Sequence, residues 1–387
     1  MSPKPKIVIA GGGPAGASLA VRLAGAGHAV TLVERERFPR HKLCGEFISP
    51  ECLAHFRELG VLDEMLGAGG SRIGETRFYA ASGRSVGVPS EWFGGAALSL
   101  SRSRMDDILL RRARQAGAEV IEGTSVVAME TGGGRIRSLK ARRASETLDI
   151  TGDLFIDATG RTRAVAKLLD RETGHTETRR GRSAYVGFKA HLRRAAIEPG
   201  RCEIYFFPGG YGGLSPVEDG LANLCFLINA ASARKHGGSA DAIVEDAVCA
   251  NVRAREALRD ATADGRWLAV SVDGFGVRDK QARPGLISIG DAAAFIDPFT
   301  GSGMLLALES SGLLAECIAE TGADDAGLAG EYARRYGKKF RRRFGASSLL
   351  RRAAFAPGIA SLGIATVFHY RATRRIFAAL TRHRAAE

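Results

Sequence analysis

The sequence predicts an α/β fold: a Rossmann-like parallel-sheet domain, an antiparallel β-sheet inserted into it, and a helical C-terminus. Three observations carry this prediction. A β-branched apolar run, Lys6 to Ala10, enters a glycine turn, then a helix-forming stretch, Ala17 to Ala24, and a second apolar run, Ala29 to Val33. Two stretches rich in strand formers and turns, Gly74 to Ser99 and Ser183 to Ile228, interrupt that pattern. From Tyr332 onward the chain turns helical and basic. The first domain is therefore expected at residues 1–73, 99–182 and 270–330. The inserted substrate sheet is expected at 74–98 and 183–269, and a basic C-terminal segment at 331–387.

The opening elements have a direct chemical reading. Gly11 allows a tight turn, Gly13 lets the backbone approach a pyrophosphate, and Gly16 allows a helix to pack closely on its strand. The helix N-terminus adds amide donors and a positive dipole. Glu34 ends the second strand, where a carboxylate can accept from a ribose hydroxyl. Farther on, Asp106 and Asp107 lead into a helix over Leu109 to Ala116. Strands follow at Ala118 to Ile121 and Ser125 to Met129, then a turn at Gly132 to Gly134.

Asp153 to Ile156 is a strand that delivers Asp157-Ala158-Thr159-Gly160-Arg161 to its C-terminal edge, where ligands bind in open α/β sheets. The alternative there is a plain Asx turn. A third segment runs from Gly290 to Gly303. Asp291 is placed to accept from a ribityl chain, and Pro298-x-x-Gly301-x-Gly303 opens a long helix, Met304 to Ile318, whose amides could stabilise a reduced flavin. Three glycine-centred segments in this order describe one extended cofactor held at three points. That cofactor is expected to be FAD.

Composition sets limits. The chain has 387 residues, 45% hydrophobic and 25% charged, as in a globular protein with a full core. Its six cysteines form no CxxC and no zinc-spaced cluster, so free thiols and no metal are expected. No secretory signal is read at the N-terminus, and the expected location is the cytoplasm. Residues 331–387 hold fourteen Lys/Arg and two Glu, so this segment carries +12 of the net +13. Within it, Ala353 to Tyr370 is an uncharged, mostly apolar run flanked by arginines, and Lys338 to Arg343 adds a basic patch. It reads either as an interfacial helix meeting anionic lipid at the inner membrane face or an acidic carrier, or as a cap packed on the substrate domain. No nucleic-acid partner is expected, because no aromatic stacking platform accompanies the charge. Oligomeric state is left open.

These motifs resemble the FAD-dependent superfamily that includes aromatic hydroxylases, flavin halogenases and geranylgeranyl reductases, over residues 6–320. The geranylgeranyl reductase-like branch is the nearest in kind. Pro39 to Glu46 (PRHKLCGE) is similar to that branch's Pro/Lys/Cys-Gly segment beside the isoalloxazine. Glu203 to Gly210 (EIYFFPGG) resembles its Tyr-x-Trp-x-Phe-Pro substrate motif, with shortened spacing and no Trp. The resemblance implies FAD contacts from Gly11, Gly13, Pro14, Ala15, Gly16, Glu34, Arg35, Lys42, Leu43, Cys44, Arg104, Val126, Asp157 and Gly160. It implies a further set at Gly290, Asp291, Pro298, Gly301, Ser302, Gly303 and Met304. Substrate contacts are implied at Tyr205, Phe207, Pro208 and Tyr211.

Cys44, flanked by Arg40 and Lys42, is a candidate proton donor or polar wall, or else a small buried hydrophobe. Glu46 is the rival donor, or else a surface or capping carboxylate. The leading function is an FAD-dependent reductase of C=C bonds in a hydrophobic isoprenoid- or polyketide-like substrate or lipid. The alternatives are a monooxygenase acting on an aromatic or polyketide ring and an electron-transfer flavoprotein. Halogenation is disfavoured, because no lysine lies between Lys42 and Lys140. No second dinucleotide motif is present, so NAD(P)H must bind transiently or a reduced electron-transfer partner must serve.

Overall fold

The computed structural model describes residues 5–174, 184–272, 274–277, 285–323 and 327–355. Its centre is a five-stranded sheet in the spatial order Leu286–Ser288, Leu154–Asp157, Lys6–Ala10, Ala29–Val33, Glu119–Ile121, every pair parallel. Such a sheet must be covered on both faces, which is why its strands are continuous apolar runs. On one face lie the helices Pro14–Gly25, Arg102–Gln115 and Gly303–Thr321, packed through Leu19, Leu23, Leu109 and Leu308. Ser18 and Ser311 join two of these helices by a 2.7 Å hydroxyl contact. On the other face, Val8 and Phe155 meet a meander of Thr124–Gly132, Arg135–Arg143 and Glu146–Thr151.

The helix expected from Leu109 begins at Arg102. Ser101 Oγ accepts from the Arg104 N–H and caps it, and Asp106 and Asp107 sit inside the helix, each paired with an arginine at i,i+4 spacing.

The inserted sheet has seven strands, ordered Thr262–Val272, Tyr185–Arg193, Ala222–Asn229, Gly210–Pro216, Arg201–Phe207, Glu75–Tyr79, Ser85–Pro89. All neighbours are antiparallel except Arg201–Phe207 with Glu75–Tyr79. That pair joins two separate insertions, so no hairpin dictates its direction. Short helices between residues 230 and 258 cover the outer face, and the inner face turns toward the parallel-sheet domain.

Through its described side chains the C-terminal helix Leu328–Ala354 packs on the parallel-sheet domain. Tyr332, Tyr336 and Phe340 enter the core beside Gly303–Thr321, and Arg343 pairs with Glu309 at 2.5 Å. Residues 356–370 of the apolar run Ala353 to Tyr370 lie outside the described residues. Among the described residues no helix is long and apolar enough to cross a membrane, and no cluster could hold a metal ion.

Candidate active site

A cavity of about 790 Å³ lies between the two sheets and is lined from both. Its lower wall is the glycine turn. Gly11 has φ +108°, and a side chain there would collide with the Ala158 carbonyl; one at Gly16 would collide with the Gly11 carbonyl. Only glycine lets the Pro14–Gly25 helix point its N-terminus into the cavity at this depth. The buried Glu34 carboxylate accepts from the Gly12 N–H at 2.6 Å and the Glu36 N–H at 2.9 Å. Opposite, Gly301 in a left-handed turn precedes the Gly303–Thr321 helix, whose first residues also line the cavity.

Cations surround this wall. Arg35, Arg40, Lys42, Arg102 and Arg161 all line it. The Lys42 side chain opens into the cavity, yet burial among the walls, and then the charges of Arg40, Arg102, Arg35 and Arg161, lower its ammonium to about 8. Arg102 forms a bidentate pair with Asp106 at 2.7 Å, joined there by Arg40 at 3.1 Å. Clustered cations beside a glycine turn fit a dianionic pyrophosphate, and the carboxylate at the end of the second strand fits a ribose. The donor set and the glycine cradle fit FAD.

Most of the expected cofactor residues line this cavity: Gly11, Gly13, Pro14, Ala15, Glu34, Arg35, Lys42, Leu43, Cys44, Val126, Gly160, Asp291, Pro298, Gly301, Gly303 and Met304. Gly16, Gly290 and Ser302 stand behind it, where Gly290 (φ +56°) lets the chain pass close to Ala15. Two placements differ from expectation. Asp157 is fully buried, its oxygens accepting from the Thr159 N–H and hydroxyl and the Ala166 N–H, so it shapes the turn and caps a helix without reaching the cavity. Arg104 points away, to the Ala68 carbonyl, Glu218 and Asp219. Two positions along a helix turn a side chain to another face, so Arg102 takes the inward place. Its signal in the sequence was the Ser101 cap.

The loop Lys42 to Glu46 spans the two domains. Glu46 has φ +55°, an uncommon conformation for a non-glycine residue. Its fully buried carboxylate accepts from the Arg102 N–H at 2.8 Å, from Lys189 Nζ, and bonds His191 Nε2 at 2.7 Å. Burial alone would raise its pKa, but the hydrogen bond from His191 and the charge of Lys189 outweigh it and hold the group below the ordinary value. Glu46 is thus an ionised anchor, neither a surface carboxylate nor a proton donor at neutral pH. Cys44 lines the cavity, its sulfur accepting from the Glu46 N–H at 3.3 Å and its carbonyl from Asn223. Lys189 is a lysine the fold delivers from afar, but it is buried against Glu46. His41 lines the cavity edge-on to His191.

Strand alternation decides the upper wall. Along Arg201–Phe207, Cys202 and Ile204 line the cavity and the Phe206 ring lies tilted 5.8 Å from Phe299. Tyr205 and Phe207 face the outer core, where the Tyr205 hydroxyl donates to Glu203 at 2.6 Å. Pro208 is exposed at the hairpin turn. Of the four expected substrate contacts only Tyr211 faces the cavity, its hydroxyl donating to Asp297 at 2.8 Å. The motif lies on a strand that lines the cavity, with Tyr205 and Phe207 turned to the outer core. With Phe78, Phe275, Phe295 and Phe299, Tyr211 makes that end of the cavity aromatic.

A nucleotide-binding parallel sheet, a glycine cradle and a cationic cavity capped by a β-sheet define a flavoprotein oxidoreductase. Residues 4–335 match the FAD binding domain family, and the chain belongs to it. It is 28% identical over 341 residues to the menaquinone reductase of Mycolicibacterium smegmatis, covering 84% of this chain and 79% of that protein. It is 27% identical over 332 residues to the tryptophan 2-halogenase of Chondromyces crocatus, covering 81% of this chain but only 60% of the halogenase. Its fold matches a geranylgeranyl bacteriochlorophyll reductase-like protein of Thermoplasma acidophilum with TM-score 0.72 and 20% identity, covering 98% and 92% of the two chains. The protein is an FAD-dependent enzyme.

Proposed function

We propose that the protein reduces C=C bonds of a hydrophobic isoprenoid- or polyketide-like substrate, with electrons from NAD(P)H or a reduced electron-transfer partner. The observation that carries this reading is the aromatic end of the cavity, continuous with the Lys42 to Gly45 loop. A reductase among the sequence relatives supports it. Bound FAD, once reduced, supplies a hydride equivalent. The protein's part is to bind the alkene and give a proton. Phe78, Phe295, Phe299 and Tyr211 offer apolar surface that excludes water and aligns an extended chain. Cys44, held by the Glu46 N–H on its sulfur and by Asn223 on its carbonyl, stands on the cavity wall as the proton donor. The halogenase relative supports oxygen-dependent chemistry, such as hydroxylation, as the second reading.

Mixing the dithionite-reduced holoenzyme with a geranylgeranyl lipid without oxygen separates the two. Flavin reoxidation with a product two hydrogens heavier is expected. Reoxidation that occurs only with O₂ and yields an oxygenated product would establish the second reading. In the same assay Cys44→Ala should keep FAD and slow turnover by more than about tenfold, within the range of general acid catalysis. Wild-type turnover in Cys44→Ala and Cys44→Ser would make the thiol a packing group.

A further inference from the structure

We propose that the exposed face of the C-terminal helix Leu328–Ala354 docks on an anionic lipid bilayer, placing the aromatic end of the cavity to receive its substrate from the membrane; the delivery part rests on the hydrophobic-substrate reading above. The helix has two opposite faces. Tyr332, Tyr336, Phe340 and Arg343 are buried against the parallel-sheet domain, which fixes the helix in place. Arg334, Lys338, Arg341 and Arg342 are exposed, at i, i+4, i+7 and i+8 spacing that forms one stripe. Arg334 pairs with Glu331, and Arg335 beside it with Glu320 and Glu331. Lys338, Arg341 and Arg342 have no acidic partner among the described residues, and residues 332–354 contain no Asp or Glu. Lys338, Arg341 and Arg342, held on a packed helix with no neutralising acid among the described residues, make a surface built for negative charge.

The choice of occupant follows from what the stripe lacks. Ala333, Gly337 and Gly345 are the exposed residues among the cations. Among the described side chains of the helix, none of the exposed ones is an aromatic or large apolar anchor of the kind that dominates protein–protein binding energy. Charge without shape suits a layer of anionic headgroups. The helix also leads to the cavity: Phe355, directly after it, lies 4.7 Å from the Tyr185 ring and 5.7 Å from Tyr211, which lines the aromatic end.

The test is sedimentation of the full-length, FAD-loaded protein with vesicles of phosphatidylcholine alone and with added phosphatidylglycerol. Wild type should partition to the anionic vesicles and be released by salt, as screening shortens the reach of each charge. Lys338→Gln/Arg341→Gln/Arg342→Gln should weaken that partition by on the order of a hundredfold, taking about fivefold per cation, with its flavin absorbance unchanged. Equal binding to both vesicle types, no binding to either, or a triple variant that partitions as wild type does would each overturn the proposal. Should the variant lose its flavin, salt-insensitive partition of the wild type would overturn it just as well. No turnover is measured, so a failed reductase assay and a failed docking test remain separate results.

Discussion

The two walls of the cavity are built by different means. The lower wall has a backbone frame, glycines at 11, 13 and 301, two helix N-termini and a carboxylate at a strand end, with cationic side chains around it. Its geometry is set within short stretches of chain. The upper wall is side chains on a seven-stranded sheet whose neighbours come from residues 75 to 272, and its chemistry depends on which alternate residues point inward. A local wall tolerates distant change and fails by a single added methyl. A non-local wall can change its specificity by one register step while the lower wall stays as it is.

The two walls meet at Glu46, and the largest effect is expected there. Glu46→Gln removes the carboxylate that ties Lys189 and His191 of the sheet to the Arg102 N–H of the other domain. It leaves a buried lysine without its counter-charge, which costs about 3–5 kcal/mol when one partner of a buried pair is lost. Denaturant unfolding of the two proteins measures it. Because the folded pKa of Glu46 is depressed, its contribution is present above the unfolded carboxylate value and is lost as pH falls through the lower folded one. The wild type should therefore lose more stability on acidification than Glu46→Gln, which keeps the other carboxylates. Equal stability of the two proteins at neutral pH would mean the walls are not joined through this residue.

That division also explains what the sequence revealed. Gly11, Gly13, Glu34 and Gly301 were legible because glycine turns and strand-end acids act through neighbours close in sequence. Asp157 was misread because an Asx turn and a ligand contact place the same residue at the same strand end. Only the positions of the Thr159 and Ala166 amides tell them apart. Tyr205 and Phe207 were misread for a different reason. A motif names a strand, but which face its residues take is fixed by pairing with Gly210–Pro216 and Glu75–Tyr79. Lys189 and His191, far along the chain from Glu46, carried no local signal at all.

The parity of the upper wall can be tested by one chemical deletion made on each face. Tyr205→Phe and Tyr211→Phe each remove a buried hydroxyl that donates to a carboxylate, Glu203 or Asp297. Each should cost about 1.5–3 kcal/mol of stability, the range for hydrogen bonds to charged groups. Their effects on catalysis should part. Tyr205→Phe should leave KM unchanged, since its ring lies in the outer core, whereas Tyr211→Phe should shift KM or the flavin spectrum on substrate binding. A KM change in Tyr205→Phe alone would reverse the assignment of faces.

The smallest effect belongs to the lower wall and reads its charge directly. Lys42 is lowered to about 8 by burial and by four neighbouring arginines. A lysine with its folded pKa below the unfolded one binds fewer protons in the folded state above about pH 8, so from this group alone the apoprotein gains stability as pH rises from there toward the ordinary lysine value. The cofactor reverses that preference, because a dianionic pyrophosphate favours the charged ammonium. Affinity for FAD should therefore be at its full value below about pH 8 and fall above it, by up to about tenfold for each unit that the bound cofactor raises the pKa. Lys42→Met should bind FAD more weakly at pH 7 and lose this pH dependence, while Lys189→Met, whose ammonium sits on Glu46 behind the wall, should keep it. Fluorescence titration of apoprotein with FAD from pH 6.5 to pH 9.5 measures both, taking a range around the shifted lysine. A wild-type affinity that is flat across that range would place the pyrophosphate with Arg40 and Arg102 and out of reach of Lys42.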